Sequence, residues 1–164
     1  MVRKIVLSIL TPFLLLTAAG VATAQSNGGN FGLGIIVGEP TGIDAKIFLT
    51  KKNALEFAVA WSLNDDNDLH IQGDYLWHNY RLIKLDSSDE MPLFFGVGLR
   101  AIMRDDRNDR NDRDDVVGIR FPVGLAYMFA NYPFDIFAQI APILDVAPDS
   151  DFDLEGAIGA RFWF

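Results

Sequence analysis

DLEGAIGARFWF, residues 153 to 164, reads differently in its two parities. Leu154, Gly156, Ile158, Ala160, Phe162 and Phe164 form an apolar set, while Asp153, Glu155 and Arg161 belong to the other parity with Ala157, Gly159 and Trp163. Side chains that change face at every residue define a strand. A loose chain end in water would be polar. This segment therefore predicts a strand that is held along its length.

The same alternation recurs upstream. Phe31–Gly38, Ile43–Thr50, Ala54–Leu63, Leu69–Leu82, Leu93–Met103, Val116–Phe129 and Phe134–Leu144 each alternate, and Gly, Pro, Asn or Asp marks nearly every break between them. With Asp153–Phe164 they make eight strands, a spacing that suits a barrel or a sandwich.

The faces choose between these two. Leu93, Phe95, Val97, Leu99, Ala101 and Met103 oppose Phe94, Gly96, Gly98, Arg100 and Ile102. Val117, Ile119, Phe121, Val123, Leu125 and Tyr127 oppose Gly118, Arg120, Pro122, Gly124, Ala126 and Met128. One set is bulky and apolar throughout; the other mixes Gly and Ala with isolated charges. A soluble sandwich would put the second set in water, where Lys, Thr and Ser would be expected instead. The inverted assignment fits better, with bulky residues facing lipid and small ones leaving room inside for paired charges. The expected fold is all-β, an eight-stranded antiparallel up-and-down transmembrane β-barrel.

The start of the chain agrees. Arg3 and Lys4 precede an apolar run from Ile5 to Leu16, and Ala22-Thr23-Ala24 forms an A-x-A cleavage site. That run is too short for a membrane-spanning helix, which needs about 18 residues. Residues 1–24 are expected to be a cleaved signal peptide, leaving 25–164 as one domain. Without Arg3 and Lys4, 12 basic residues face 22 acidic ones, a net charge of −10. This balance argues against nucleic acid and against docking on anionic lipid surfaces. The chain has no cysteine, so an exported domain must rely on its packing or on an apolar medium.

The terminal pattern Ile158, Ala160, Phe162 and Phe164 resembles the signal read by the bacterial barrel-assembly machinery, so that machinery is an expected partner. More broadly, residues 25–164 resemble the small outer-membrane barrels typified by the OmpA transmembrane domain and OmpX. "GLGIIVGEPTGIDAK" (Gly32 to Lys46), "YLWHNY" (Tyr75 to Tyr80) and "FDIFAQIAP" (Phe134 to Pro142) are similar to a family of small envelope barrels of Gram-negative bacteria, spirochaetes included. The resemblance implies a fold and an outer-membrane location, but no common chemistry. It also implies both termini on the periplasmic side. "GEPTG" and the connections Asn64–Asp68, Arg104–Asp115 and Asp145–Phe152 would then face outward, and Ile83–Pro92 is a long connection for the inner side.

Among candidate sites, the interior charges stand out. Asp44, Glu56, Asp74, Asp135, Asp153 and Glu155 share the inward parity with Lys46, Arg100, Arg120 and Arg161. Any one buried alone would cost several kcal/mol, so they are expected to pair. Gly32, Gly34, Gly38 and Gly159 are expected to make room for Arg161 and Trp163. The repeat through Asp106, Arg107, Asp109, Arg110, Asp112 and Arg113 could meet cations or lipopolysaccharide phosphates, but it lacks a turn-forming Gly and reads as a solvated external loop. His70 and His78 share a face roughly 26 Å apart and cannot bind one ion together. Ser62 and His70 would be neighbours if Trp61 opposed Ile71, and with Asp68 they raise a rim hydrolase, although no oxyanion hole is legible.

The expected role is therefore structural or interactive: a barrel with a filled lumen that presents loops outside, with outer-membrane lipid or lipopolysaccharide and an external protein as partners. No enzyme activity, cofactor or metal is expected. A narrow solute pore, a lipid hydrolase at the rim and a soluble lipocalin-like periplasmic binder remain alternatives.

Overall fold

The computed structural model describes residues 29–39, 41–61, 69–103 and 115–164. The expected signal segment 1–24, Ser62, Asp68 and the Asp106–Arg113 repeat lie outside these residues.

Nine strands follow in order: β1 (Phe31–Gly38), β2 (Gly42–Phe48), β3 (Asn53–Trp61), β4 (Leu69–Asn79), β5 (Leu93–Met103), β6 (Val116–Arg120), β7 (Val123–Met128), β8 (Phe134–Ala147) and β9 (Asp151–Trp163). All pairings are antiparallel. Neighbours in sequence pair from β1 to β5, β8 pairs with β9, and β9 returns to β1. The sheet thus closes on itself, and every described strand has a partner on both sides. No edge is left to recruit another chain.

Local chemistry sets the turns. Gly38 has φ 136°, a conformation that a Cβ would strain. Its N–H donates to Thr41 Oγ1, and that hydroxyl donates back to the Gly38 carbonyl. Between β2 and β3 the Thr50 hydroxyl accepts from the N–H groups of Lys52 and Asn53, which turns the chain at Lys51-Lys52.

The sixth predicted strand, Val116–Phe129, is divided at Phe121-Pro122 into β6 and β7. The cause is Pro122, which has no N–H to give to the ladder. The two pieces still occupy one place in the ring, since both lie between β5 and β8 with the same register on either side of Pro122; the one shift against β8 falls earlier, between Val117 and Gly118. Two bonds bridge the gap: the Gly96 N–H donates to the Pro122 carbonyl, and the Phe121 N–H to the Pro142 carbonyl, each at 2.9 Å. Eight positions around the ring are therefore filled by nine strands. The other strands differ from expectation by a few residues at their ends, most at β4, which stops at Asn79, and β8, which runs on to Ala147.

Burial runs opposite to that of a soluble protein. Leu99 and Ile158, on the bulky parity, are 60% and 63% exposed, and Phe31, Ile35, Phe95 and Ile140 share that outer face. Arg120, Arg161, Lys46 and Glu56 are almost fully buried inside. The bulky set faces outward because the interior of an eight-position ring has room only for a narrow column of side chains. Glycines create that room. A methyl on Gly32 would lie 3.0 Å from the Trp163 ring, and one on Gly34 would meet the Arg161 Cγ and the Ala160 carbonyl. Gly38 borders Ala157. Gly159 makes room for the Phe137 ring instead of for Arg161 or Trp163.

Candidate functional site

The interior carries two groups of ion pairs. The first surrounds Arg161 on β9. Its Nη1 lies 2.6 Å from Glu56 Oε2 and 3.3 Å from Asp44 Oδ1, and its Nε lies 3.2 Å from Asp135 Oδ1. Lys46 Nζ adds a contact of 3.3 Å to the same Glu56 oxygen. Register explains the meeting. Arg161 is paired with Gly34 and with Asp135, Gly34 with Asp44, and Lys46 with Glu56. Inward residues on adjoining strands stand side by side. The guanidinium also lies over the Phe137 ring at 3.8 Å, and the Lys46 ammonium over Phe94 at 4.6 Å.

The second group joins Arg100 of β5 with Arg120 of β6. Arg100 grips Asp145 through two nitrogens, Nη2 to Oδ2 at 2.7 Å and Nε to Oδ1 at 3.2 Å, the bidentate geometry that suits guanidinium. Its Nη1 reaches Glu155 Oε1 at 2.7 Å and Asp153 Oδ2 at 2.8 Å. Arg120 meets Asp74 at 3.2 Å and the other Glu155 oxygen at 3.1 Å, and it donates to Gln72 Oε1. Glu155 thus bridges the two arginines.

All ten sequence-predicted interior charges are brought into these groups. Asp153 is the least enclosed; its side chain is 49% exposed at the end of the ring away from the termini. Asp145 was missed because the strand was expected to stop at Leu144. Counting in twos from Asp135 already assigned it to the inward face. Gln72 and Gln139 are buried inside as well, as is His78, which the sequence had raised only as half of a metal pair; the parity of the two glutamines was legible, but uncharged residues gave no reason to single them out.

The register that a Ser62–His70 pairing was expected to need, with Trp61 opposite Ile71, is not the one found. Trp61 opposes Leu69, and His70 opposes Ala60, two positions from the predicted register. His70 instead faces Glu155, with Nε2 3.6 Å from Oε1. His78 sits among Phe48, Tyr80 and Phe94 at the terminus end, so the two histidines lie apart as expected. Among the described residues no group of His, Asp and Glu could hold a metal ion.

The long connection between β4 and β5 is folded back and pinned. Asp89 accepts from the Ala130 N–H at 2.9 Å and from the Tyr127 hydroxyl at 2.6 Å, and Glu90 forms a two-way bridge with Met128. The Ala130 amide, then the Tyr127 hydroxyl, hold the Asp89 carboxyl below the ordinary aspartate range. A depressed carboxyl stabilises above the unfolded-state value and loses that contribution as pH falls through the folded one. Protection of the Ala130 amide, corrected for intrinsic exchange, is expected to drop on acidification through the carboxylate range. Asp89→Ala should lower it already at pH 7. Hydrogen exchange measures both; protection that ignores acid and the substitution alike would show that the latch does not hold the connection.

A closed antiparallel sheet, apolar outside and ion-paired inside, resembles the OmpA-like class of β-barrel. In fold, the chain is similar to the crystal structure of the N-terminal beta-barrel domain of Pseudomonas aeruginosa OprF. Identity is 15%, the match covers 84% of this chain and 100% of that chain, and the TM-score is 0.58. At that identity the likeness is one of fold. No family model matches the chain, and neither does any curated protein.

Proposed function

We propose that the chain is an integral outer-membrane β-barrel with a filled interior, which serves as a structural element and presents its connections on the cell surface. One observation carries this reading: the closed sheet turns its large apolar side chains outward and its charges inward. Burying four cations and six carboxylates in a narrow interior makes sense only where the outer face needs an apolar solvent. Ring closure supports it too, because backbone groups in hydrocarbon must be paired within the protein. In this reading residues 1–24 direct export and the termini lie in the periplasm. The outward side chains of Ile158, Ala160, Phe162 and Phe164 face the assembly machinery. The 104–115 connection meets lipopolysaccharide or an external protein. The ion-paired interior favours a plugged barrel over a pore.

Migration of the detergent-extracted envelope protein on unboiled gels tests the reading. A folded membrane barrel should run differently before and after boiling and should stay with the membrane fraction. Recovery in the soluble fraction, with no such shift, would refute it.

A further inference from the structure

The net charge predicts no affinity for anionic lipid, yet the charges are unevenly spread. Among the described residues, the interior and the end away from the termini hold most of the acids. Each described basic side chain outside the interior lies at the terminus end: Lys51, Lys52, Arg81 and Lys84. Three of these lie on neighbouring segments. Lys51 and Lys52 form the β2–β3 turn, and the Lys52 carbonyl accepts from the His78 N–H at 2.6 Å. Arg81 follows three residues after His78, and its N–H donates to Asn79 Oδ1 in a local turn at the end of β4. Neighbouring segments of this kind run about 5 Å apart. All three side chains are exposed, and none has an ion-pair partner among the described residues.

The outer face directly beside them is aromatic. Tyr75 packs edge-on to Trp77 at 4.8 Å, Trp77 stacks on Phe95 at 5.8 Å, and the Tyr75 hydroxyl accepts from Asn53 Nδ2 at 2.6 Å. Tyr and Trp in such a belt mark the depth of lipid headgroups. Leu82, just past Arg81, is also exposed. Asp86, Asp89 and Glu90 lie further along the same connection. Asp89 is engaged by Tyr127 and Ala130, and Glu90 by Met128, on the β7 side of the ring.

We propose that Lys51, Lys52 and Arg81 form a docking site for the phosphodiester headgroup of an anionic phospholipid in the leaflet on the terminus side, with its acyl chains lying along Tyr75, Trp77 and Phe95. This rests on the membrane-barrel reading above. Each basic group near an anionic lipid surface favours it by about fivefold, so three such groups on neighbouring segments select that lipid from a mixed leaflet.

The full chain is folded into vesicles of equimolar phosphatidylglycerol and phosphatidylcholine, and heat-shifted migration establishes insertion. Lipids kept after mild detergent release are then counted by native mass spectrometry. The wild type should retain phosphatidylglycerol over phosphatidylcholine by about fivefold or more. Lys51→Gln/Lys52→Gln/Arg81→Gln should bring the ratio close to one, whereas Lys51→Arg/Lys52→Arg/Arg81→Lys should preserve it. An inserted wild type without preference, or a Gln variant that keeps the preference, overturns the docking site while leaving the barrel reading intact. A chain that never inserts overturns both.

Discussion

Arg161→Met is expected to destabilise the folded protein by about 3–5 kcal/mol, the cost of stranding buried charges whose partner is removed. Arg161 is 0% exposed and faces three carboxylates, those of Asp44, Glu56 and Asp135. Without it, Lys46 alone would answer them, and Lys46 touches only Glu56. Adding Glu56→Gln to Arg161→Met should recover part of the loss, because one stranded carboxylate becomes neutral. Urea titration of the refolded protein in vesicles measures each step. A loss under about 0.5 kcal/mol for Arg161→Met, the range of an ordinary surface change, would mean that water reaches this group and that the interior is not sealed.

Leu99→Arg tests the other face. Leu99 lies mid-way along β5, points outward and is 60% exposed. In water such a change falls within about 0.5 kcal/mol. On the lipid face of a barrel, near the bilayer midplane, Arg costs about 2–4 kcal/mol. The larger value is expected in vesicles by urea titration. A neutral result in inserted protein would place Leu99 away from hydrocarbon. The two substitutions bear on one physical statement from opposite sides: removing a charge from the inside and adding one to the outside should both be costly.

Much of the fold was legible in the sequence. The eight ring positions, the segment order and the assignment of the two faces followed from alternation, because a strand turns successive side chains to opposite sides whatever its neighbours, although nine strands fill those positions. The inward charges could be named for the same reason. What failed had local physical causes. The strand breaks at Pro122 because that residue has no N–H for the ladder, and the bonds that hold the two pieces in one place, from the Gly96 N–H to the Pro122 carbonyl and from the Phe121 N–H to the Pro142 carbonyl, are made across strands. The β3–β4 register came out two positions from expectation, because alternation constrains only the parity of a pairing and a two-residue shift preserves it. That shift separated His70 from the place expected for Ser62. Asp145 was lost by ending one strand too early.

By itself, then, the sequence determined that one face of every strand is greasy, that the other is small and charged, and that the inward charges carry both signs. Only the tertiary structure decided which cation meets which carboxylate. Arg161 and Glu56 are 105 positions apart, and Arg100 and Glu155 are 55 apart. Ring closure and stagger bring them together, and no periodicity along one strand encodes that offset. The basic patch at Lys51, Lys52 and Arg81 is of the same kind. Net charge sums over the whole chain, while a lipid headgroup would meet only the few groups that folding sets side by side.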